Sequence, residues 1–301
     1  IAIPKEITIK EEPEWLLSNF LPSEYIIIVD GYQFISLYQK EIKNKGYKLI
    51  YIDDLATEYM YADVVVNHSP YFTRSHFKSE AYTQFALGTS YAMLRPLFNK
   101  LAKQKREITS IRNAFICFGG ADTFDLSLKA TKALLNIENI DNINIILGGA
   151  YGHEEIFDLK EKHSDKINIY RNLSEEKLLN TMQQCNFAIA PASTILYELC
   201  SVKMPVLSGY YIDNQIYIYT ALKEKGVIFG GGDFRNYTVS DFEIKIKELL
   251  TKNLIDTYIE NQHKLFNGKS KIHFLNLING LNITFRKANE KDISLVYNWS
   301  N

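Results

Sequence analysis

Two segments, FICFGGAD (115–122) and APASTILYE (190–198), decide the fold of this chain. In each, a short apolar run with strand character ends in small residues and is followed directly by a helical pattern. Glycines at such a turn let backbone N–H groups approach a ligand, and the start of the following helix adds partial positive charge. Both segments therefore predict strand–turn–helix units at the ligand-binding edge of a parallel α/β sheet.

The same alternation continues around these two segments. Strand patterns are predicted in INIILGGAYG, INIYRNL and MPVLSGY, and helical patterns in TFDLSLKATKALLNI, EEIFDLKEKHS, SEEKLLNTMQQ and TILYELCSVK. Ser174, followed by two glutamates, suits the start of one of these helices. Further helices are predicted at 214–226 and 240–265. Repeated strand–helix units of this kind are typical of a doubly wound domain.

The first hundred residues follow a similar rhythm. YIIIVDGY (25–32) predicts a strand buried on both faces, and ISLYQKEIKNKG (35–46) predicts a helix with a terminal glycine cap. KLIYIDD (48–54) and ADVVVNHS (62–69) predict two more buried strands, each ending in acidic or polar residues. The basic amphipathic stretch at 97–113 is the best candidate for a linker.

The predicted fold class is therefore α/β, with two Rossmann-like doubly wound domains of which the first is incomplete. The predicted boundaries place an N-terminal domain at 1–98, a linker at 99–113, a ligand-binding C-terminal domain at 114–280 and the start of a further domain at 281–301.

The amino-acid composition limits the classes of protein to which this chain can belong. Of 301 residues, 46% are hydrophobic and 23% are charged, which is typical of a globular protein. A net charge of −1 without a basic stripe argues against nucleic acid as a partner, and the longest apolar runs are too short to span a bilayer. An odd number of cysteines (Cys117, Cys185 and Cys200) without a signal peptide predicts reduced thiols and a cytoplasmic protein. The six histidines lack HxH or HxxxH spacing, so no metal site is expected.

Individually, the candidate site residues allow two interpretations. Gly119 and Gly120 suit a phosphate-binding turn or a plain tight turn, and Ser193 with Thr194 suits a phosphate site or a simple helix cap. Glu198 is placed either to bind two ribose hydroxyls or to face solvent from the helix.

Taken together, and in their order along the chain, these segments resemble those of a known protein family. GGAD, the S-E-E-K helix, S-T-x-x-x-E and D-N-Q resemble the C-terminal domain of the MurG-like glycosyltransferase-B group. The closer similarity is to the UDP-2,4-diacetamido-2,4,6-trideoxy-β-L-altropyranose hydrolases of pseudaminic acid biosynthesis. It extends over residues 20–280 and includes the distinctive segment LGTSYAMLRPLF (87–98).

The resemblance implies an enzyme that converts its UDP-sugar to UDP and free sugar, with water as acceptor and without metal or cofactor. It places the diphosphate and sugar beside Gly119, Gly120 and Asp122, and the uracil edge beside the backbone of Arg171, Asn172 and Leu173. By the same resemblance, phosphate lies at Ser193 and Thr194, ribose at Glu198, and the sugar at Asn214 and Gln215, with Tyr91 and Arg95 near the hinge. Structural packing remains an equal interpretation for Tyr91 and Arg95.

The sequence departs from the family in one respect. The family opens with a G-x-G-H turn whose histidine positions or activates water, and that turn is expected upstream of Ile1, so no catalytic residue is assigned. His68 is interpreted as a structural strand-end residue in preference to a replacement base. This chain is accordingly expected to bind UDP, with hydrolysis belonging to the longer protein.

The end of the chain carries a second resemblance. ITFRKANEKDISLVYNW (283–299) resembles the opening of a GNAT acetyltransferase, which implies a fused N-acetyltransferase in the full-length chain. Two other functions remain open: a glycosyltransferase that uses a UDP-sugar donor, and a UDP-binding module without catalysis.

Overall fold

The computed structural model of the chain describes residues 3–251 and 254–281, in which two parallel β-sheets are each flanked by helices. The predicted acetyltransferase opening therefore lies outside the described residues. Within the described ranges, no helix is long and apolar enough to cross a membrane.

The first sheet has four parallel strands in the order β1-β2-β4-β6. The bounds of the elements in this part are α1 (Glu12–Asn19), β1 (Ile26–Asp30), α2 (Ser36–Asn44), β2 (Lys48–Ile52), β3 (Tyr59–Met60), β4 (Val64–Asn67), β5 (Lys78–Ser79), β6 (Gln84–Leu87) and two 3₁₀ turns at Arg74–His76 and Thr89–Tyr91. Strands β3 and β5 form a separate short parallel pair.

Most of the predicted elements of this part are present. Helix α2 is followed by Gly46 with a φ of +89°, a left-handed conformation that favours glycine, which confirms the predicted cap. The prediction that the 25–32 strand is buried on both faces is wrong. β1 is the edge strand of the sheet, and the Ile28 side chain is 57% exposed. A continuous apolar run does not distinguish an edge strand from a central one when a cavity lies beside it.

The second sheet has six parallel strands in the order β12-β11-β10-β7-β8-β9. The bounds of its elements are β7 (Asn113–Ile116), α4 (Leu126–Leu135), β8 (Asn142–Leu147), α5 (Glu155–Lys162), β9 (Ile167–Arg171), α6 (Glu175–Gln184), β10 (Phe187–Pro191), α7 (Thr194–Ser201), β11 (Val206–Tyr210), α8 (Gln215–Glu224), β12 (Phe229–Asp233), α9 (Val239–Thr251) and α10 (Ile255–Leu265). The hydroxyl of Ser174 accepts a hydrogen bond from the Lys177 backbone at the start of α6, as predicted.

The strand order of the second sheet reverses between β7 and β10. From β7 the chain steps outward through β8 to β9, then returns to β10 on the other side and continues to β12. Ligands of doubly wound sheets bind in the crevice outside the carboxyl ends of the strands at such a switch point. The GGAD turn follows β7, and Ala192 and Ser193 form the turn between β10 and α7, so both segments lie at this crevice.

The connection between the sheets is anchored by the half-buried Arg106 and the buried Lys203. It begins with α3 (Pro96–Leu101), after which Arg106 donates hydrogen bonds to the backbone carbonyls of Val202, Gln183 and Cys185. Lys203, which is 1% exposed, donates from Nζ to three carbonyl oxygens, those of Ala102, Ser201 and Phe266, at 2.9–3.0 Å.

The last described helix, α11 (Ser270–Leu281), packs on the first sheet. Its apolar side chains contact one face of β2, β4 and β6, whereas α1 and α2 cover the opposite face. The predicted boundary at 280 groups this segment with the second domain, but its apolar contacts are with the first sheet. The chain therefore crosses between its two halves twice.

Candidate functional site

A polar cleft of about 250 Å³ lies between the carboxyl edges of the two sheets. The first half contributes Asp30 from the end of β1, Asp54 after β2, and His68 and Ser69 after β4. The second half contributes Ser193 and Thr194 from the start of α7, and Asn214 and Gln215 from the start of α8. Four of the predicted site residues thus line one cleft.

The start of α7 has no side-chain cap, although the Ser193 backbone N–H donates to the Pro191 carbonyl at 2.9 Å. Ser193 is the N-cap residue with extended backbone (φ −130°), yet its hydroxyl makes no capping hydrogen bond. A helix start offers unpaired backbone N–H groups and partial positive charge, which together suit an anion such as phosphate. Ser193 and Thr194 face the cleft at this point.

The start of α8 is linked to the first half by a chain of hydrogen bonds. The Asn214 amide donates to the Tyr32 hydroxyl at 3.1 Å, and the Tyr32 hydroxyl donates to Asp54 at 3.1 Å. The Gln215 side chain accepts from the Tyr211 backbone at 3.0 Å, which fixes the turn before the helix. Asn214 is therefore placed where the two halves meet.

The GGAD turn is held rigidly from several sides. Gly119 has a φ of +81°, and the carbonyl of Phe118 before it accepts a hydrogen bond from the Tyr211 hydroxyl at 2.6 Å. The next turn along the sheet edge packs so closely that a Cβ at Gly148 would overlap the Gly119 and Gly120 carbonyls. Space beside Gly120 itself is open.

Asp122 has a structural role in this turn. It is buried, and its carboxylate accepts hydrogen bonds from the backbone N–H groups of Leu126 and Ser127 at 2.8 Å each. Burial raises the pKa of this carboxyl, and the hydrogen bonds from Ser127 and Leu126 oppose that effect. Because Asp122 already occupies the start of α4, the start of α7 is the better anion site of the two.

The 171–173 turn lies at the same edge of the sheet, after β9. Asn172 has a φ of +51°, a left-handed conformation that asparagine tolerates well. The Arg171 guanidinium stacks over Phe157 and donates to the Tyr151 carbonyl at 3.3 Å. Leu173 packs against the second-half core. The Arg171 side chain is therefore engaged within the protein, and none of these three residues is among those that line the polar cleft.

Glu198 is paired with Arg95. Two hydrogen bonds of 2.6 Å join the Arg95 guanidinium to the two carboxylate oxygens. Glu198 is 4% exposed, so the alternative that it faces solvent from the helix is wrong. An ionised carboxylate has about four lone-pair sites. The fork of Arg95 uses two of them; the others are buried with the carboxylate, and Glu198 is not among the residues that line the polar cleft.

Tyr91 is placed away from the residues that line the cleft. Its ring contacts His273 and Phe274 on α11, with centroids 5.7 Å apart in both cases. A second, apolar cavity of about 740 Å³ lies next to it, between the first sheet and α11, and shares Ile52 and Met93 with the cleft.

Sequence reasoning did not single out Asp30, Tyr32, Asp54 or Ser69 as site residues. The signal was present, since Asp30 ends β1 and Asp54 follows β2, and the carboxyl ends of parallel strands meet at one edge of a sheet. What the sequence lacked was the placement of that edge opposite the starts of α7 and α8. Among the described residues, no group of three His, Cys, Asp or Glu side chains is arranged to hold a metal ion.

Comparison with known proteins identifies the architecture. No family model matches the chain. An uncharacterized protein of Methanocaldococcus jannaschii is 26% identical over 305 residues, which span 94% of this chain and 58% of that protein. The chain thus spans less than two thirds of the length of this curated relative.

Solved structures with the same fold include three enzymes. MurG of Acinetobacter baumannii aligns with a TM-score of 0.58 at 14% identity, over 93% of this chain and 81% of its own. Spinosyn rhamnosyltransferase aligns with a TM-score of 0.59 at 14% identity, over 91% and 78%. A putative UDP-N-acetylglucosamine 2-epimerase from Listeria monocytogenes aligns with a TM-score of 0.57 at 12% identity, over 92% and 81%. The fold is therefore of the glycosyltransferase-B type, which confirms the predicted α/β class with two Rossmann-like domains.

Proposed function

We propose that the chain binds a UDP-sugar in the interdomain cleft and belongs to an enzyme that cleaves the bond between the anomeric carbon and the diphosphate. The observation that carries this proposal is the cleft itself, in which the uncapped start of α7 faces acidic and imidazole side chains across the gap. The start of α7 suits a diphosphate, and the acidic and imidazole side chains opposite it suit a nucleophilic hydroxyl.

The ribose is assigned to Glu198. The resemblance supports this assignment, and the two hydrogen bonds from Arg95 hold the carboxylate in one orientation, so little side-chain ordering would accompany the binding of a ligand hydroxyl. The sugar is assigned to Asn214 and Gln215, and the uracil edge to the backbone of 171–173. The peptide groups at Gly119 and Gly120 lie between these positions along the sheet edge.

For the acceptor, we propose water. The resemblance to the diacetamido-trideoxy sugar hydrolases supports this choice. Transfer to a sugar hydroxyl is the second candidate, because spinosyn rhamnosyltransferase has the same fold.

Calorimetry tests the nucleotide site. Wild-type protein is expected to bind UDP more tightly than 2′-deoxy-UDP. Glu198→Ala is expected to weaken UDP binding about tenfold, equivalent to about 1.4 kcal/mol, with a smaller effect on the deoxy ligand. Glu224→Ala, at the exposed far end of α8, serves as the control and should leave the Kd unchanged. Absence of UDP binding by the wild-type protein would refute the proposal.

Product analysis tests the reaction. With UDP-2,4-diacetamido-2,4,6-trideoxy-β-L-altropyranose as substrate, hydrolysis predicts equal amounts of UDP and free sugar without any added acceptor. In that assay Glu198→Ala should raise KM with little change in kcat. Consumption of substrate only after a sugar acceptor is added would favour transfer, and UDP binding without any turnover would favour a binding module.

A further inference from the structure

We propose that His68, which the sequence alone favoured as a structural strand-end residue, is the general base that removes the proton from the attacking hydroxyl in the cleft, the role that the resemblance gives to the histidine of the G-x-G-H turn; the inference rests on the proposed UDP-sugar function. Its place in the fold is the starting point. His68 follows the last residue of β4, at the carboxyl edge of the first sheet, and lines the cleft opposite the start of α7. A nucleophile that displaces a diphosphate held at α7 approaches from the side of the first sheet.

The His68 ring is held in place by packing, and among the described residues its nitrogens bond no other protein group. Its ring packs edge-on against Tyr197, with centroids 5.0 Å apart, and the Tyr197 hydroxyl donates to the His68 carbonyl at 3.1 Å. The side chain is only 8% exposed, yet among the described residues its Nδ1 has no hydrogen-bond partner. An unpaired buried polar atom costs about 1–3 kcal/mol. Nδ1 itself is fully buried, whereas among the described residues Nε2 is neither hydrogen-bonded nor fully buried, so Nε2 is the ring nitrogen that a hydroxyl in the cleft would meet.

The charges around the ring favour proton acceptance during reaction. Burial lowers the pKa of His68, so the ring is neutral near pH 7, and Asp54 and Asp30 partly oppose that effect. Besides His68, these two carboxylates are the titratable side chains that line the described cleft. The Tyr197 phenol beside the ring stays neutral, because burial raises its pKa well above the ordinary value. Once the imidazole takes a proton, Asp54 and Asp30 stabilise the cation.

The proposed step balances as follows. His68 takes one proton from the attacking water as the water oxygen forms a bond to the anomeric carbon. The bond from that carbon to the diphosphate oxygen breaks, and UDP leaves with the electron pair. The proton then passes from His68 to solvent, which regenerates the neutral ring. In the transfer reaction, a sugar hydroxyl takes the place of water and the same bonds change.

Substitution of His68 provides the main test. His68→Gln is expected to lower kcat on the diacetamido-trideoxy UDP-sugar by about 10²- to 10⁴-fold, while the Kd for UDP changes less than twofold. His68→Ala should recover part of its activity when imidazole is added, which a purely structural histidine would not allow. His163→Gln, at the end of α5 and outside the cleft, is the matched control and should retain wild-type kcat.

The wild-type pH profile gives an independent test should the variants fold poorly. Because the base acts in its neutral form, kcat/KM is expected to rise through an acid-side midpoint below about 6.5, the ordinary histidine value. That midpoint should match the titration of the His68 ring resonances measured by NMR.

Three outcomes would overturn the role of His68. These are wild-type turnover by His68→Gln with normal UDP binding, an acid midpoint unrelated to the His68 titration, and a wild-type protein that binds UDP but cleaves no UDP-sugar. Each of them leaves the nucleotide site intact. Failure of the wild-type protein to bind UDP would instead refute the proposed function, so the two failures are distinguishable.

Discussion

At the scale of single residues, two turns approach each other so closely at Gly148 that a side chain there would overlap the backbone of the neighbouring turn. The missing side chain of Gly148 lets the turn after β8 pack on the carbonyls of Gly119 and Gly120. Gly148→Ala would place a methyl group against this rigid backbone, and we expect a loss of about 1–3 kcal/mol in the free energy of unfolding. Urea denaturation measures the change, with an unaltered m-value if the fold is retained.

The neighbouring glycine supplies a control for that experiment. A Cβ at Gly149 meets open space, and its backbone does not require positive φ, so Gly149→Ala should change stability by no more than about 0.5 kcal/mol. Equal effects of the two substitutions would mean that the turns are free to move apart. In that case the GGAD turn is not the rigid surface described above.

At the scale of the elements, Lys203 joins three segments through its ammonium group. The carbonyls of Ala102, Ser201 and Phe266 belong to the interdomain connection, to α7 and to the end of α10. Lys203→Met would leave these carbonyls without a donor while relieving the burial of a charge, and we expect a net loss of about 2 kcal/mol. Lys264→Met, at an exposed position on α10, is the control and should change stability by no more than about 0.5 kcal/mol.

The difference in stability between wild type and Lys203→Met is expected to change with pH in one direction. Burial lowers the pKa of Lys203 to about 8, whereas an unfolded lysine titrates near 10.4. Between these values the unfolded chain binds more protons than the folded one, so this group makes the wild-type protein more stable as the pH rises. The advantage of wild type over Lys203→Met should therefore grow between pH 8 and pH 10, as followed by urea denaturation. A constant difference would contradict the assignment.

The elements also show what the sequence could and could not predict. The strand–turn–helix units around 115–122 and 190–198 were predictable because apolar runs, small residues and helical spacing all lie close together in the chain. The pairing of Glu198 with Arg95 was not, because it depends on how α7 meets the start of α3. His68 was placed correctly at a strand end, but its unpaired Nδ1 is a property of packing alone.

At the scale of the whole molecule, the two halves are connected by more than the 99–113 stretch. Tyr71 and Phe72 of the first half pack against Tyr217 of α8 with tilted rings, and the centroids are 4.9 Å apart in both pairs. The Tyr32–Asn214 hydrogen bond and the packing of His68 on Tyr197 also join the two walls of the cleft. Opening of the cleft must therefore break polar and aromatic contacts together, which couples ligand access to the relative position of the sheets.

Helix α11 completes this arrangement, because it follows the second half in the chain but covers the first sheet. Ile278 packs with other α11 side chains against Ile50, Val64, Val66 and Ala86. Ile278→Asp would place a carboxylate against this apolar face, and we expect a loss of about 2–4 kcal/mol. This destabilisation should be confined to the first sheet, because the second sheet has its own core.

Amide hydrogen exchange followed by mass spectrometry shows whether Ile278→Asp destabilises the first sheet alone or both sheets together. Ile278→Asp is expected to accelerate exchange in β2, β4 and β6 while β7 and β10 keep their wild-type protection. Asn276→Asp adds the same carboxylate on the exposed side of α11 and should alter neither group. Acceleration throughout both sheets would mean that the halves unfold as one cooperative unit, and unchanged exchange would mean that α11 does not stabilise the first sheet. Faster exchange confined to the first sheet would show that a helix far along the chain holds one wall of the cleft in place.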